Sequence, residues 1–460
     1  MKKFGIIFLI FWVFISATCL PVFAQADLSV NCSGIEAQSA VVDGAPITNA
    51  SAAIVYELNS DTMMLAQNID ERIYPASFVK IMSAILALEK GDLEEKVTVT
   101  ATALGSVSSS SSSAKLVAGE TLKLCDLLYC MLTGSANDAA AVIAEHIGGT
   151  VQNFVALMNA RAAELGCSNT NFVDPHGLQS RNQYTTARDM VRIMKAARRT
   201  EGFTEIFGAL TYTVPATEKS AERVMKSSNY LIDPRQEAYY DRRVSGGRTG
   251  VAADRTRHVA VTAESGNMEV VAIVFGSQSQ YAADNYTFEV YGGFKEISQM
   301  LSLTISKYAI GQVLYEGQIV AQRPVINGDN DLVLVPSETQ TVVVPKDVDM
   351  NELTYRFDDE GKTYTAPIQS GSKQGKLEVW YGGKCLAEVE LLAANRVMVS
   401  VPKEVNRNLT DSTLVTVIVV IITVLAVVIG IFGMIIHRRN VRYRKRAAAR
   451  QRQRERERNR

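Results

Sequence analysis

The stretch Ser77-Phe-Val-Lys-Ile-Met-Ser-Ala-Ile-Leu-Ala-Leu88 is apolar on nearly every helical face, which predicts a helix buried in the core. Lys80 is its only charge before Glu89, and burial lowers the pKa of a lysine because it disfavours the ammonium form. Ser77 lies three residues away on the same helical face. A serine beside a readily deprotonated lysine is an activated nucleophile, and the first helical turn supplies unpaired backbone N–H groups that can stabilise an oxyanion.

The Ser-x-x-Lys spacing alone is weakly specific. It recurs in a Ser-rich stretch, a predicted turn and a predicted linker, at Ser112/Lys115, Ser370/Lys373 and Ser400/Lys403. Only the copy at Ser77 begins a predicted buried helix. Lys80 also has an alternative role, in which its methylenes lie along apolar surface and its ammonium group stays in water.

Two further motifs follow, Ser135-Ala136-Asn137 between two predicted helices and Arg248-Thr249-Gly250 before a predicted β-hairpin. Ser-x-x-Lys, Ser-x-Asn and cation-Thr-Gly, in that order, are the motif set of penicillin-binding proteins and serine β-lactamases. On these residues the sequence resembles the low-molecular-mass penicillin-binding proteins, the D-alanyl-D-alanine carboxypeptidases of the cell wall. Flanking segments extend the resemblance, namely Tyr74-Pro75-Ala76, Asp138-Ala139-Ala140, Leu165-Gly166, Thr170-Asn171-Phe172, Asp174-Pro175-His176-Gly177-Leu178 and Thr186-Ala187-Arg188-Asp189-Met190.

The resemblance implies a serine-type D-alanyl-D-alanine carboxypeptidase that acts on peptidoglycan stem peptides ending in D-Ala-D-Ala and is inhibited covalently by β-lactams. It implies no metal and no other cofactor. By the same resemblance, Ser77 attacks the carbonyl of the penultimate D-alanine and Lys80 takes the serine proton. Ser135 helps to pass a proton to the departing D-alanine, and Asn137 orients the substrate amide and Lys80.

The substrate-binding residues implied by the resemblance are Arg248, Thr249, Gly250 and Val251. Arg248 and Thr249 would hold the terminal carboxylate, and the backbone N–H groups of Ser77 and Val251 would form the oxyanion hole. The family usually has lysine at the first position of this motif, and the residues after Gly250 also depart from its pattern. Arginine keeps the charge and can pair bidentately with a carboxylate, but it cannot act as a base. We expect the change to affect rate and substrate range more than reaction class.

The pattern of elements predicts an α+β fold, since strands come first, helices occupy the middle and strands return late. With the resemblance, this becomes a β-lactamase/transpeptidase-like serine domain over residues 46–302, after a polar lead-in over 25–45. Short strands with turn punctuation predict a C-terminal all-β stalk module over 303–402, followed by a linker over 403–412. The Ser-rich run 106–113 is either a surface loop or a flap at the active site.

Both ends of the chain predict membrane targeting. Residues 1–24 have the pattern of a signal peptide, with an uncleaved anchor as the alternative. Residues 413–436 carry no charge and are long enough for a transmembrane helix, at roughly 36 Å. The tail, 437–460, contains 12 Lys/Arg and two acids, which predicts a cytoplasmic location and an extracytoplasmic catalytic domain in the cell membrane.

The charge distribution argues against nucleic acid as the main partner. The residues between the signal and the tail carry 34 Lys/Arg against 46 Asp/Glu, although the net charge of the whole chain is zero. The basic tail could bind nucleic acid, but its position directly after an apolar helix favours stop-transfer and lipid headgroups.

Two alternative functions stay open at this level. A β-lactamase of the same fold is disfavoured, because the Glu-x-x-Leu-Asn segment expected after the second motif is missing; the sequence Glu57-Leu58-Asn59 lies before Ser77. The other alternative is a catalytically weak penicillin-binding scaffold of the cell wall, in which the residues around Arg248 leave binding without turnover. The sequence leaves the oligomeric state undetermined.

Overall fold

The computed structural model describes residues 48–178, 181–252, 254–281, 288–358, 361–400 and 413–458. The predicted signal peptide, polar lead-in and linker lie outside the described residues. The helices are α1 (Val79–Lys90), α2 (Ala101–Gly105), α3 (Leu124–Leu132), α4 (Asn137–Gly148), α5 (Val151–Glu164), α6 (Ala187–Arg199), α7 (Phe203–Gly208), α8 (Gly292–Lys307) and α9 (Thr413–Arg458).

The first domain is built on a five-stranded antiparallel sheet in the order β2-β1-β9-β8-β7. Its strands are β1 (Ala52–Glu57), β2 (Thr62–Gln67), β7 (Val244–Val251), β8 (Arg257–Ser265) and β9 (Met268–Ser277). Shorter strands are β3 (Lys96–Thr98), β4 (Thr121–Lys123), β5 (Thr211–Val214), β6 (Arg223–Lys226), β10 (Gln280–Tyr281) and β11 (Phe288–Val290). The sheet joins the two ends of the domain around a helical middle, so the predicted α+β class is confirmed.

Strand β1 buries apolar residues on both of its faces. Ala52, Ile54 and Tyr56 face the core that contains α1, while Ala53 and Val55 face the core that contains α8. Side chains alternate between the two faces of a strand, and helices cover both faces of this sheet. A strand buried on both faces needs a continuous run of apolar residues. A strand with one face in water would instead alternate apolar and polar residues.

Helix α1 crosses the larger core, and all of its residues from Val79 to Ala87 are buried. It packs against α3, α4 and α6, which explains why the sequence is apolar on every face. Burying apolar area contributes roughly 25 cal/mol per Å², so this helix anchors the domain. Lys80 is only 1% exposed within it.

The C-terminal module is all-β, as predicted. Its strands are β12 (Tyr308–Leu314), β13 (Ala321–Arg323), β14 (Val325–Ile326), β15 (Leu332–Pro336), β16 (Gln340–Pro345), β17 (Thr354–Phe357), β18 (Tyr364–Thr365), β19 (Lys373–Tyr381) and β20 (Lys384–Ala393). Helix α8 runs through the predicted boundary at 302/303 and ends at Lys307. Phe294, Leu301 and Thr304, which lie on both sides of that boundary, are all fully buried on this helix. The same core therefore holds the turns before and after the boundary in one helix.

Helix α9 begins at Thr413, where the membrane span is predicted to start, but continues past residue 436 to Arg458. The segment Thr416–Arg452 contains a window long and apolar enough to cross a membrane by length and composition. The basic tail extends the helix because it is rich in Arg, Ala and Gln, which are strong helix formers.

Candidate active site

Ser77 lies in a short 3-10 turn, Ala76–Phe78, that leads directly into α1. Phe78 is buried and fixes this turn, with its ring centroid 5.1 Å from that of Phe275 and 5.8 Å from that of His258. Ala76 has φ +48°, a left-handed conformation that costs a non-glycine residue roughly 1 kcal/mol or more. The packing of Phe78 holds the turn in this conformation and keeps Ser77 at the start of the helix.

His258 braces the same turn from strand β8. Its Nε2 lies 3.0 Å from the carbonyl oxygen of Tyr74, and its Nδ1 accepts a hydrogen bond of 2.9 Å from the backbone N–H of Gly276. Nε2 therefore carries the proton and donates to Tyr74. Burial lowers the pKa of His258 to about 4, so the ring is neutral at physiological pH and serves a structural purpose.

Lys80 places its amine at the centre of the site. Its Nζ lies 2.6 Å from Asn137 Oδ1, 2.6 Å from the carbonyl oxygen of His176 and 3.5 Å from Ser77 Oγ. Burial, and next the positive charge of Arg248, hold the pKa of Lys80 well below its usual value. The alternative in which the ammonium group reaches water does not fit a side chain this deeply buried.

Ser135 and Asn137 lie where α3 gives way to α4. Ser135 has φ +60°, a strained conformation for a non-glycine residue that is typical of functional sites. Asn137 is the first residue of α4 and is 5% exposed. Its backbone N–H donates to the carbonyl oxygen of Ser112 at 2.8 Å, while its side chain contacts Lys80.

Arg248 lies on β7 and is 2% exposed. Its Nη1 donates to the carbonyl oxygen of Leu132 at 2.6 Å, and its Nη2 donates to Ser135 Oγ. Burial lowers the pKa of Arg248 to about 10, so it remains a cation at neutral pH. The structure thus brings Arg248 to Ser135, a contact that the motif spacing does not reveal. Its expected contact with a substrate carboxylate stays a prediction.

Thr249, Gly250 and Val251 follow Arg248 along β7, which lies beside the 3-10 turn at one edge of the described five-stranded sheet. A Cβ at Gly250 would lie 3.0 Å from Ala76 Cβ and 3.4 Å from the backbone nitrogen of Ser77. A glycine here therefore lets β7 approach the nucleophile closely. Val251 is half exposed at the end of the strand.

Two groups near the site were not predicted from the sequence. Ser228 forms a hydrogen bond of 2.6 Å with Thr249, Oγ to Oγ1, yet it lies 21 residues away in a polar segment without periodicity. The Asp174–Gly177 segment was recognised only as part of the family resemblance, and its contact with Lys80 spans 96 residues of sequence. Neither contact leaves a spacing signal in the chain.

The end of the Ser-rich run lies against the second motif. Ser113 Oγ donates to Asp138 Oδ2 at 2.6 Å, and the backbone N–H of Ala114 donates to Asp138 Oδ1 at 2.9 Å. Together with the contact of Ser112 to Asn137, these bonds tie residues 112–114 to the start of α4. The middle of the run, around Ser108–Ser110, is exposed.

The residues brought together form a serine–lysine site rather than a metal centre. Within the described part of the chain, Lys80 contacts both Ser77 and Asn137, and Arg248 contacts Ser135. In that part, no group of three or more His, Cys, Asp or Glu side chains is arranged to hold a metal ion. The chemistry available is nucleophilic attack by a serine beside a depressed-pKa amine.

Fold and site together define a serine enzyme of the penicillin-binding protein type. Residues 39–279 match the family described as D-alanyl-D-alanine carboxypeptidase, and residues 311–398 match the penicillin-binding protein 5 C-terminal domain. The chain belongs to the D-alanyl-D-alanine carboxypeptidase family and is a serine-type carboxypeptidase.

Relatives and solved structures cover most of the chain. The D-alanyl-D-alanine carboxypeptidase DacF of Bacillus subtilis (strain 168) is 28% identical over 348 residues, 75% of this chain and 85% of the relative. DacA of Haemophilus influenzae is 28% identical over 362 residues, 76% of this chain and 86% of the relative. The crystal structure of penicillin-binding protein 5 from Haemophilus influenzae has a TM-score of 0.66 at 27% identity, covering 77% of this chain and 99% of that one.

Proposed function

We propose that this carboxypeptidase is anchored in the cell membrane and removes the terminal D-alanine from peptidoglycan stem peptides through an acyl-enzyme on Ser77. One observation carries the proposal. The buried amine of Lys80, its pKa depressed, lies 3.5 Å from Ser77 Oγ and 2.6 Å from Asn137 Oδ1. A neutral amine at this position can take the serine proton as the hydroxyl attacks.

In the acylation step, Ser77 Oγ forms a bond to the carbonyl carbon of the penultimate D-alanine and its proton passes to Lys80 Nζ. The carbonyl oxygen becomes an oxyanion, which the backbone N–H groups of Ser77 and Val251 would stabilise. The C–N bond to the terminal D-alanine then breaks. The leaving amine takes a proton that originates on Lys80 and passes through Ser135.

Arg248 assists this proton path through its contact with Ser135. Its guanidinium donates to Ser135 Oγ, so the Ser135 hydroxyl is left free to donate its own hydrogen toward the substrate amine. The same positive charge helps to keep Lys80 neutral. Water then attacks the acyl carbonyl with Lys80 again as base, which releases the shortened peptide and restores Ser77.

The free edge of β7 fits an extended peptide. A strand edge offers backbone groups that pair with an added strand, and Gly250 brings this edge next to Ser77. Thr249 and its hydrogen-bonded partner Ser228 offer two hydroxyl groups for the terminal carboxylate, with the charge of Arg248 behind them. We therefore place the D-Ala-D-Ala end of the substrate along β7.

Membrane anchoring rests on helix α9 and its charge asymmetry. The apolar part of α9 is followed by Arg438 and Arg439 and the rest of the basic tail, and this charge excess supports a cytoplasmic tail with the catalytic domain outside. The β-module would then act as a stalk between membrane and catalytic domain. Protease digestion of intact spheroplasts tests this orientation, since the catalytic domain should be cleaved and a tag on the tail protected.

The experiment for the chemistry uses the full chain in detergent with a labelled penicillin and, separately, a pentapeptide ending in D-Ala-D-Ala. Stable labelling together with D-alanine release supports the carboxypeptidase. Labelling without D-alanine release would identify the weak scaffold instead, and rapid loss of label would identify a β-lactamase. Ser77→Ala should abolish both labelling and release, whereas the matched control Ser112→Ala, in the Ser-x-x-Lys copy of the Ser-rich run, should retain both.

A further inference from the structure

Among the described residues, the amine of Lys80 forms two hydrogen bonds besides its contact with Ser77, and both are with oxygen atoms that only accept hydrogen bonds. Asn137 Oδ1 and the carbonyl oxygen of His176 each lie 2.6 Å from Nζ. A neutral amine has two N–H donors and one lone pair. Because the two amide oxygens take the two N–H groups, the lone pair is left facing the third neighbour, which is Ser77 Oγ.

The carbonyl of His176 is held in place by the loop around it. Asp174 Oδ1 accepts hydrogen bonds from the backbone N–H groups of His176 at 3.0 Å and Gly177 at 2.5 Å, and Gln183 Nε2 donates to Asp174 Oδ2 at 3.3 Å. The Tyr74 hydroxyl donates to the carbonyl oxygen of Gly177 at 2.5 Å. Through the Gly177 N–H, Asp174 therefore holds the peptide unit that contains the carbonyl in contact with Lys80, and through the His176 N–H it holds the unit before it.

The same loop packs on the backbone of the nucleophile turn. Gly177 has φ +82°, and a Cβ there would lie 1.9 Å from the carbonyl oxygen of Ala76 and 3.1 Å from the backbone nitrogen of Ser77. Only glycine fits this approach. The loop thus touches both the turn that bears Ser77 and the amine that activates it.

We propose that the Asp174–Gly177 segment is a positioning element for catalysis: through the His176 carbonyl, Asp174 aims the lone pair of Lys80 at Ser77. Asp174 touches neither Ser77 nor the reacting atoms, so it is a positioning residue. The inference rests on the proposed roles of Ser77 and Lys80. It adds to them a residue 97 positions from Ser77 in the sequence.

The charge of Asp174 gives this proposal a distinctive pH signature. Burial would raise the pKa of Asp174, but hydrogen bonds from His176 and the Gly177 N–H outweigh burial and hold the pKa below its usual value. The carboxylate is therefore ionised at neutral pH. Lys80 is faced by three charged groups, Arg248 from β7, Asp138 from α4 and Asp174 from the loop, and the two carboxylates raise the pKa of Lys80 while Arg248 lowers it.

The test compares Asp174→Ala and Asp174→Asn with the unchanged full chain. Stopped-flow reaction with a β-lactam separates the dissociation constant of the first complex from the acylation rate constant. Asp174→Ala should slow acylation by about 10- to 100-fold, part of what a general base supplies, with the dissociation constant unchanged. Asp174→Asn keeps an acceptor oxygen, so it should retain more of the rate. Because it removes a negative charge near Lys80, its acid limb should move to lower pH.

The control is Asp241→Ala. Asp241 is also buried and accepts a backbone N–H bond, from Arg243 at 3.1 Å, but has no described contact with Lys80. It should destabilise the fold without changing the acylation rate constant. Acylation of Asp174→Ala within threefold of the unchanged protein would overturn the proposal, as would an Asp174→Asn acid limb that stays in place. If the unchanged protein is not acylated at Ser77, the proposed function fails instead.

Discussion

The catalytic domain and the β-module treat charged side chains in opposite ways. In the catalytic domain, buried ionisable groups such as Lys80, Arg248 and His258 each contact specific oxygen or nitrogen atoms. In the β-module, described over 308–358 and 361–400, no polar or charged side chain is buried. Its charges pair on the surface, as Lys376 and Glu388 do at 2.6 Å.

This difference separates the catalytic domain, which carries the chemistry, from the β-module, which supports it. Desolvation shifts the pKa of a group and strengthens its electrostatic interactions, and among the described residues the largest shifts, such as those of Lys80, Arg248 and His258, lie in the first domain. Exposed pairs contribute little because water and salt screen them. Substitutions of charged groups should therefore have large and pH-dependent effects in the catalytic domain and small ones in the β-module.

The largest expected effect is at Lys80. Lys80→Met keeps the apolar stem in the core but removes the amine that takes the proton of Ser77. The acylation rate constant should fall by roughly 10³-fold or more, while the unfolding free energy should change little, because the apolar stem stays packed and the cost of burying the polar amine is removed. Stopped-flow acylation and chemical denaturation measure the two quantities. Lys376→Met in the β-module is the matched control, and an equal loss there would refute the distinction.

Arg248 should give the second largest effect. Arg248→Gln removes a buried cation beside Ser135 and should weaken recognition of a substrate carboxylate by about 2–5 kcal/mol. Because the charge of Arg248 lowers the pKa of Lys80, its loss should move the acid limb of the acylation profile to higher pH. Arg248→Lys should restore much of the activity.

The measurement for Arg248 is acylation rate against pH for the three proteins, with a peptide acid and its C-terminal amide. The unchanged protein should strongly prefer the acid, and Arg248→Gln should lose that preference. If the unchanged protein handles acid and amide equally, Arg248 is not the carboxylate anchor, and its roles are limited to its contact with Ser135 and its effect on the pKa of Lys80.

The prediction for His258, in the catalytic domain, concerns the pH dependence of the unfolding free energy. Its pKa is about 4 in the folded protein and about 6.5 in an unfolded chain, so only the unfolded state binds a proton between these values. The stabilisation is complete above pH 6.5 and should be lost as pH falls toward 4, by roughly 3 kcal/mol. Urea unfolding between pH 7 and 4 measures this slope. His258→Gln should flatten it.

The smallest effect is expected at the surface pair of the β-module. Lys376→Ala should change the unfolding free energy by less than about 1 kcal/mol and leave acylation unaltered at every pH. A change in the acid limb would show that the module influences the site electrostatically, which the geometry gives no reason to expect.

Local patterns were enough to predict much of the fold. The apolar run after Ser77 predicts a buried helix, and α1 is buried from Val79 to Ala87. Helix α8 ends at Lys307, so the domain boundary predicted at 302/303 falls inside it. Burial of Leu301 and Thr304 keeps the last turns of this helix packed in the first domain.

The sequence predicted site residues only where they stand within one short, contiguous motif. Ser77, Asn137 and Thr249 stand within short motifs, so their residues could be named from spacing. The hydroxyl of Ser228 and the carbonyl of His176 come from distant segments that meet only in the folded chain. A backbone carbonyl carries no side-chain identity, so no residue pattern could have indicated that it contacts Lys80.

The most direct test of the central claim is to locate the acylated residue and the pH dependence of its acylation. The full chain in detergent is treated with a penicillin at several pH values, digested and analysed by mass spectrometry. The account predicts one adduct, on the peptide that contains Ser77, forming faster as pH rises through the depressed pKa of Lys80. An adduct on Ser112 or Ser135, or none at any pH, would contradict it.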